Sequence, residues 1–305
     1  MAVYETELKL RVMAADEWKQ ILKSSVLFAG RQADTYSKEM LEARYYDTAD
    51  GRLHKAGFAY RVRRENGRWI ATVKGRGQAG GGLHKRLEYN LAVAAPGPDL
   101  SVFNGIDAPV CGLQQAVGAG ELKTVMITRF ERETVLISVG DSTIEVAADQ
   151  GEIIAGGKRS PILEIELELK SGVPSALLLI GAKLAGQFFM LLEPRSKFAR
   201  GLELAGIPAV VDQPEAGPVI GRVHRLLAVQ AELWNNPGER RAEQLADVRA
   251  LQHSIAGIAA YDGLKVQLEA WRAALEKTGT VDLKKSIPVL LNIWAVALDL
   301  GREPY

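Results

Sequence analysis

Polar and apolar residues alternate along most of the first two thirds of the chain, up to about residue 206. A period of two residues is typical of β-strands that turn one face to a core. Pairs such as Asn66-Gly67, Gly140-Asp141 and Gly156-Gly157 separate the runs and predict turns. Strands are predicted near 3–12, 43–47, 57–64, 68–74, 83–93, 124–139, 142–148 and 162–170. Many antiparallel strands of similar spacing predict a barrel or a sandwich.

Helical patterns interrupt this alternation and then replace it. One helix is predicted from about Asp16 and another over 174–192, because Pro174 suits a first helical turn. The proline-rich segment 206–218, GIPAVVDQPEAGP, predicts a linker over 207–218. Beyond the linker, a period near 3.6 predicts helices at 219–235, 239–260, 264–277 and 287–300. The predicted organisation is a β-rich domain over 1–206, the linker, and a small all-α helical domain over 219–305.

The polar faces of the predicted strands are charged. Glu5, Glu7 and Lys9 share one face of the first strand, with Leu8 and Leu10 on the other. Other strands align charges in the same way: Arg61 with Arg63, Arg86 with Glu88, and Glu164 with Glu166, Glu168 and Lys170. A face turned to water explains any one such strand. The apolar faces of the strands must also be shielded from water, and helices packed outside the sheet can do this. Taken together, the strands therefore favour an arrangement in which their charged columns point into a shared interior.

Such an interior has a definite chemistry. An isolated buried carboxylate costs on the order of tens of kcal/mol in a low-dielectric medium, so it takes up a proton or finds a cation. Acidic columns that face basic columns compensate one another in part. Surplus carboxylates suit Mg²⁺, which takes oxygen ligands and substrate phosphates, and surplus arginines suit phosphate oxygens. The pattern therefore predicts a receptor for a metal–phosphate-chain complex.

Composition narrows the binding partners and the cellular compartment that the protein can have. The chain has 305 residues, with Lys+Arg 38 against Asp+Glu 37, so no global field predicts nucleic-acid or membrane binding. One cysteine, Cys111, excludes an internal disulfide and fits a reducing cytosol. The start, MAVYETELKL, lacks the apolar core of a signal peptide. The apolar run SALLLIGAKLAGQFFMLL contains Lys183 and Gln187 and predicts a buried helix, not a membrane span. We expect a cytoplasmic protein.

Taken in order, the charged runs resemble the CYTH, or triphosphate tunnel metalloenzyme, superfamily. The resemblance covers roughly 1–206 and rests on ETELK (5–9), YYDT (45–48), RVRR (61–64), a strand that ends in Lys74-Gly75, HKRLEYN (84–90), TRFERE (128–133), AADQGEI (147–153), EIELEL (164–169) and SKFARGLEL (196–204). It implies an α+β fold: a closed antiparallel β-barrel, the tunnel, of about eight strands, with helices packed outside.

The resemblance also implies residue roles. Metal-binding acidic pairs correspond to Glu5 with Glu7 and to Glu164 with Glu166, and the implied metal is Mg²⁺ or Mn²⁺. Substrate-binding cations correspond to Lys9, Arg61, Arg63, Lys74, Arg86, Arg129, Arg132 and Lys197. Arg129 and Arg132 are out of phase, so a regular strand turns only one of them inwards, and we expect Arg129. The predicted catalytic residues are Glu5, Glu7, Lys9 and Glu166; Glu88, Glu145 and Asp149 match less specific positions.

The implied reaction is hydrolysis of inorganic triphosphate to pyrophosphate and phosphate. Alternatives are a thiamine triphosphatase, a class IV-type adenylate cyclase of the same superfamily, or a non-catalytic polyphosphate-binding module. Within the superfamily, the sequence most resembles bacterial inorganic triphosphatases in which a helical CHAD-type domain follows the tunnel. Here only GRVHRLLAVQ (221–230) is similar to that domain, so the helical domain is a partial or diverged form. Its expected role is packing, or contact with protein or polyphosphate.

Overall fold

The computed structural model describes residues 3–65, 67–105, 111–208, 217–235, 241–278 and 282–301. Among them, nine strands form one antiparallel sheet. In chain order the strands are β1 (Val3–Val12), β2 (Ser37–Thr48), β3 (Ala59–Glu65), β4 (Arg68–Gly80), β5 (Leu83–Val93), β6 (Leu122–Val139), β7 (Ser142–Ala155), β8 (Lys158–Ser171) and β9 (Met190–Leu192).

Strand β1 closes the sheet into a barrel. The strand order is β5-β4-β3-β2-β6-β7-β8-β1-β9, and β1 also pairs with β5. The first part of β1 meets β5, with Glu5 opposite Arg86, and its later part meets β8, with Lys9 opposite Glu166. The short strand β9 pairs with the end of β1. The prediction of a closed antiparallel barrel of about eight strands is confirmed.

Helices pack outside the barrel and continue beyond it. The helices are α1 (Trp18–Ile21), α2 (Ser25–Phe28), α3 (Arg52–Lys55), α4 (Cys111–Val117), α5 (Ser175–Gln187), α6 (Lys197–Leu204), α7 (Pro218–Asn235), α8 (Arg241–Ile255), α9 (Asp262–Thr278) and α10 (Leu283–Asp299). Short 3₁₀ turns cover Ser101–Phe103 and Ala259–Tyr261. In the part of the chain that the structure describes, no helix is long and apolar enough to span a bilayer.

The predicted helix over 174–192 is too long. It ends at Gln187, because Phe188 is extended and Met190–Leu192 pairs with β1 as β9. An apolar run of three residues fits a buried strand as well as a helix. Here the run forms a strand because it can pair with the free edge at the end of β1. The region near 100–122 supplies a 3₁₀ turn and α4 and contributes to the barrel only from Leu122 onward.

The outward faces of β1 and β8 form the main core. Leu8, Leu10, Ile165 and Leu167 are fully buried, and the same apolar cluster continues through α5 into α7 and α10. The helices of the C-terminal region therefore bury residues against the same core as the barrel. The division into two domains stays a prediction, and residues 209–216 of the predicted linker lie outside the described residues.

Candidate active site in the barrel

The inward faces of the strands enclose a charged cavity of about 510 Å³. Period-2 alternation sends the apolar residues outwards to the helices and the charged residues inwards. Eight cationic and seven acidic side chains line the cavity: Lys9, Arg61, Arg63, Lys74, Arg86, Arg132, Lys170 and Lys197 with Glu5, Glu7, Glu65, Glu88, Glu145, Glu166 and Glu168. The charges nearly balance in number, so their arrangement decides what the cavity can bind.

Helix α6 packs into the barrel interior. Phe198 and Leu202 of α6 join inward-facing apolar residues of the strands, such as Met126 and Ile162, in one buried cluster. Gly201 makes this approach possible, since a β-carbon there would lie 2.2 Å from Met126 Sδ. Ser196 caps the helix by accepting a hydrogen bond from the Ala199 amide. The cap fixes the start of α6, where Lys197 enters the cavity.

Carboxylates collect where β1, β8 and β7 run side by side. Glu7 lies directly opposite Glu168 across β1 and β8, and Glu168 lies opposite Glu145 across β8 and β7. Lys170 bonds Glu168 at 2.8 Å and Glu145 at 3.3 Å. Burial raises the pKa of Glu168 against the pull of Lys170, with Glu145 and Glu7 adding to the rise. This acidic row, Glu7, Glu168 and Glu145, thus carries negative charge that its neighbours neutralise only in part.

Glu5 extends the negative charge along β1. Lys74 lies between two carboxylates, 2.5 Å from Glu5 Oε2 and 2.8 Å from Glu88 Oε2. Burial, with the Glu7 carboxylate beside it, raises the pKa of Glu5 to about 8 despite Lys74. One ammonium cannot neutralise two buried carboxylates, so Glu5 has a strong demand for a further cation or a proton.

Lys9 neutralises the next pair along the same strand. Its Nζ lies 3.1 Å from Glu7 Oε1 and also bonds Glu166 on β8. Burial opposes ionisation of Glu7, but the Lys9 ammonium outweighs it and lowers the pKa of Glu7 to about 2. Glu7 is therefore ionised throughout the physiological range, with the protonated Lys9 on one side and Glu168 of the acidic row on the other.

A buried acidic triad, Asp149, Glu164 and Glu166, lies deeper. One carboxylate oxygen from each falls within 4.8 Å of the others, so the triad could hold a metal ion. The chain's own cations already meet it: Lys197 Nζ lies 2.7 Å from Asp149 and 2.9 Å from Glu166, and also pairs with Glu164. Arg132 binds both Asp149 oxygens, at 2.7 and 2.6 Å. The Lys197 ammonium thus supplies, at the acidic triad, the positive charge that a metal would supply there.

Arginines on β3 and β6 form a cationic wall, consisting of Arg61, Arg63 and Arg132. Arg61 is loosely held, 3.4 Å from the Tyr45 hydroxyl and 3.9 Å from Glu88, and its buried Nε lacks a hydrogen-bond partner among the described residues. Arg63 Nε bonds Glu65 at 2.5 Å. Burial, together with Arg61 and Arg132, lowers the pKa of Arg63. Mutual repulsion of this kind is relieved by an anion, and guanidinium groups match phosphate oxygens.

Arg86 reaches the cavity from β5 beside a buried histidine. Its Nη2 donates to Nδ1 of His84, which is 1% exposed. Because guanidinium groups only donate, the His84 proton lies on Nε2, 3.4 Å from the Glu193 carbonyl oxygen. Burial and the Arg86 charge lower the pKa of His84 to about 3. His84 is neutral at pH 7 and orients Arg86 without adding charge.

Most predicted site residues meet in this one cavity, and two do not line it. Arg129 points to the outside, where its half-exposed guanidinium bonds Glu42 at 2.8 Å, whereas Arg132 faces in. The expectation of Arg129 over Arg132 is thus corrected: Phe130 packs inwards against α6, and Arg132 shares its phase. Glu164 is buried behind the cavity, where it pairs with Lys197 and Arg200.

The structure adds residues that the predicted site left out. Tyr45, Phe130 and Phe198 form an aromatic wall, in which Tyr45 stacks on Phe198 at 5.5 Å. Glu168 was aligned by its strand phase, but only its pairing opposite Glu7 places it next to the β1 carboxylates. Asp149, which by sequence matches only a less specific position, completes the triad. Strand phase is a signal for those of these residues that lie on strands, but not for Phe198 on α6, and it does not rank one inward residue above another.

The CYTH domain family model matches residues 3–202 of the chain. Over 130 residues the chain is 39% identical to the inorganic triphosphatase of Haemophilus influenzae, a stretch that is 42% of this chain and 35% of that relative. The match therefore spans about a third of the curated relative's length.

Solved structures also resemble the chain. One is a putative adenylyl cyclase from Hippeastrum described as having a dominant triphosphatase activity, with 17% identity, a TM-score of 0.46, and coverage of 69% of this chain and 100% of that one. Another is the RNA triphosphatase domain of a mimivirus mRNA capping enzyme, with 11% identity, a TM-score of 0.36, and coverage of 59% and 88%.

Proposed function

The chain belongs to the CYTH domain family, and from that premise we propose that it hydrolyses inorganic triphosphate to pyrophosphate and phosphate with a divalent metal. The proposal rests chiefly on one observation: a cationic wall and an acidic row face the same cavity. A polyphosphate chain with a bound divalent cation carries both charges that these two surfaces require. The matched stretch of the Haemophilus influenzae triphosphatase supports the same substrate class.

The cationic residues bind and orient the phosphate chain. Arg61 is the loosest of the wall guanidiniums and is free to turn its donors to phosphate oxygens, with Arg63 and Arg132 beside it. Lys74, Arg86 and Lys197 supply further positive charge around the cavity. Phosphoryl transfer gains most from positioning and from stabilising charge on the transferred group. In the proposed step, water adds to a terminal phosphorus, the bridging P–O bond breaks, and pyrophosphate leaves.

Glu5, Glu7 and Glu168 are the proposed metal ligands. The raised pKa values of Glu5 and Glu168 indicate that these two carboxylates are incompletely neutralised, and the ionised Glu7 lies next to both of them. This set keeps Glu5 and Glu7 from the sequence-based prediction and puts Glu168 in place of Glu164 and Glu166. Lys197 and Arg200 neutralise Glu164, and Glu166 is neutralised by Lys9, Arg132 and Lys197. A divalent metal bound there would neutralise phosphate oxygens as a Lewis acid. Lys9 holds Glu7 and Glu166 ionised and in place on β1 and β8.

The purified full chain should be assayed against inorganic triphosphate, ATP and thiamine triphosphate in parallel, with Mg²⁺ and with Mn²⁺. We expect phosphate release from triphosphate at the highest kcat/KM, and none after chelation. Preference for thiamine triphosphate, or formation of a cyclic nucleotide from ATP, would replace the proposal with one of the other activities of the superfamily. Tight triphosphate binding without phosphate release under any divalent metal would indicate a binding module.

A further inference from the structure

The turn between β4 and β5 rests on two rings of the C-terminal helices. A β-carbon at Gly80 would lie 2.5 Å from His224 Cε1 on α7. One at Gly81 would lie 2.8 Å from His224 Cδ2 and 2.9 Å from Trp294 Cζ3 on α10. Real β-carbons do not approach other atoms this closely, so only a glycine backbone fits against these rings. Gly81 also has a φ of +55°, which favours glycine.

The two rings form a fixed apolar surface. His224 and Trp294 meet edge to face, with ring centroids 4.4 Å apart at 71°. Trp294 is fully buried in the main core. Burial lowers the pKa of His224 to about 4, so its ring is neutral at pH 7, and its Nε2 has no hydrogen-bond partner among the described residues. His224 therefore acts through packing and not through charge.

The turn of the hairpin gains external support from this surface. The pairing of β4 with β5 shifts register between Lys74 and Gly77 and then resumes as far as Gly80 opposite Leu83, so the ladder holds the two strands but not the turn beyond them. Its tip contains Gly80, Gly81 and Gly82, which have no side chains that could lock it. Contact with α7 and α10 supplies the restraint that the sequence of the hairpin lacks.

The same hairpin connects directly to the cavity. The Gly82 carbonyl accepts a hydrogen bond of 3.0 Å from the Lys9 amide on β1. Next along β5 come His84 and then Arg86, and His84 accepts a hydrogen bond from the Arg86 guanidinium. A displacement of the turn would therefore move both the backbone of Lys9 and the side-chain pair that presents Arg86.

We infer that His224 is a positioning residue for Arg86: by holding Gly80 and Gly81, the C-terminal helices set the affinity of the barrel for its phosphate chain. This inference rests on the proposed function. It assigns a role to the helical region that needs no ligand of its own. It also predicts that substrate affinity, more than turnover, depends on a contact made outside the cavity.

A double-mutant cycle on the full chain tests the coupling. We expect His224→Ala to raise KM for triphosphate roughly three- to tenfold, with kcat changed less than about twofold. In an Arg86→Ala background the same change should raise KM by much less, because the positioned group is gone and only the link from Gly82 to the Lys9 backbone remains. His224→Phe, which keeps a ring, should restore most of the affinity. Val248→Ala, a truncation buried in α8, is the control for general loosening of the helices and should not raise KM.

Two further measurements test the coupling between His224 and Arg86 if the first variants fail to fold or the wild-type chain fails to cleave triphosphate. If His224→Ala does not fold, Gly81→Ala tests the contact from the hairpin side and should raise KM equally. If the wild-type chain binds triphosphate without cleaving it, the proposed function fails, and the same cycle is read from dissociation constants in calorimetry. Equal effects of His224→Ala with and without Arg86, or an equal rise in Val248→Ala, would overturn the inference. Absence of both binding and hydrolysis would overturn it together with the proposed function.

Discussion

Glu7 and Glu168 face each other directly across β1 and β8, and both side chains line the cavity. Like charges at directly opposite positions of an antiparallel pair are destabilising. Lys9 offsets Glu7 and Lys170 offsets Glu168, yet the pKa of Glu168 still rises because the group is buried. The barrel thus keeps an electrostatic cost that a bound divalent cation would relieve.

Removing Glu168 should therefore weaken metal binding. In Glu168→Gln we expect at least a roughly tenfold higher dissociation constant for Mg²⁺ or Mn²⁺, with a smaller rise in melting temperature when metal is added. Calorimetric titration and thermal unfolding measure the two quantities. Glu131→Gln is the matched control, because Glu131 lies on the same barrel but bonds the exposed Lys38 outside. Equal metal affinity in both variants would remove Glu168 from the ligand set.

Arg132 and Arg129 give an internal comparison three residues apart on β6. Arg132→Ala should lower kcat/KM for triphosphate by roughly 10²- to 10³-fold, because it removes a guanidinium from the cavity wall. Arg129→Ala should leave kcat/KM unchanged, because its partner is the surface residue Glu42. Steady-state kinetics with melting temperatures separates lost function from lost folding. A large loss in Arg129→Ala would contradict the outward orientation of Arg129, and an unchanged kcat/KM in Arg132→Ala would contradict a role for Arg132 in the cavity.

Lys197 substitutes for a cation at the acidic triad. Lys197→Met leaves Asp149, Glu164 and Glu166 with less positive charge, and we expect it to lower the free energy of unfolding by about 3–5 kcal/mol. Millimolar Mn²⁺ or Mg²⁺ should restore part of that loss, since the triad could then hold a metal ion. Denaturant unfolding with and without metal measures both effects. Lys38→Met, an exposed control, should lose little; a variant that metal does not stabilise beyond wild type would exclude a latent metal site.

The buried histidine His224 predicts a dependence of stability on pH. Its pKa falls from 6.5 unfolded to about 4 folded because the ring is buried, so the unfolded chain binds more protons between these values. Stability contributed by the neutral ring is complete above pH 6.5 and is lost as pH falls towards 4. His224→Asn should flatten this slope by roughly 1–3 kcal/mol over the window.

Differences between variant and wild type isolate the His224 contribution from other titrating groups. Glu5 acts in the opposite direction: its folded pKa of about 8 exceeds the unfolded 4.5, so its contribution is complete below pH 4.5 and is lost as pH rises through 8. Denaturant unfolding from pH 4.5 to 8 measures both slopes. Identical slopes in His224→Asn and wild type would show that the ring is accessible to protons in the folded state.

Much of the site follows from the order of residues along each strand. Because side chains alternate strictly, Glu5, Glu7 and Lys9 must share a face, as must Arg61 and Arg63. The opposite face of each strand is apolar, as Leu8 and Leu10 show for β1, and helices must shield it from water. This arrangement favours charges that face inwards. This local geometry holds whatever the strands pair with.

Tertiary pairing decided what alternation leaves open. On β6 both phases carry arginine, so packing of Phe130 against α6 selects Arg132 over Arg129. The register of β8 against β1 places Glu168, and not Glu164, opposite Glu7. The contact of Gly80 with His224 joins residues 144 positions apart, and glycines carry no pattern that predicts a partner. Which side chains share a face can thus be read from the order of residues, because it is a property of one strand. Which faces meet follows only from the folded chain, because it depends on register and on packing between distant segments.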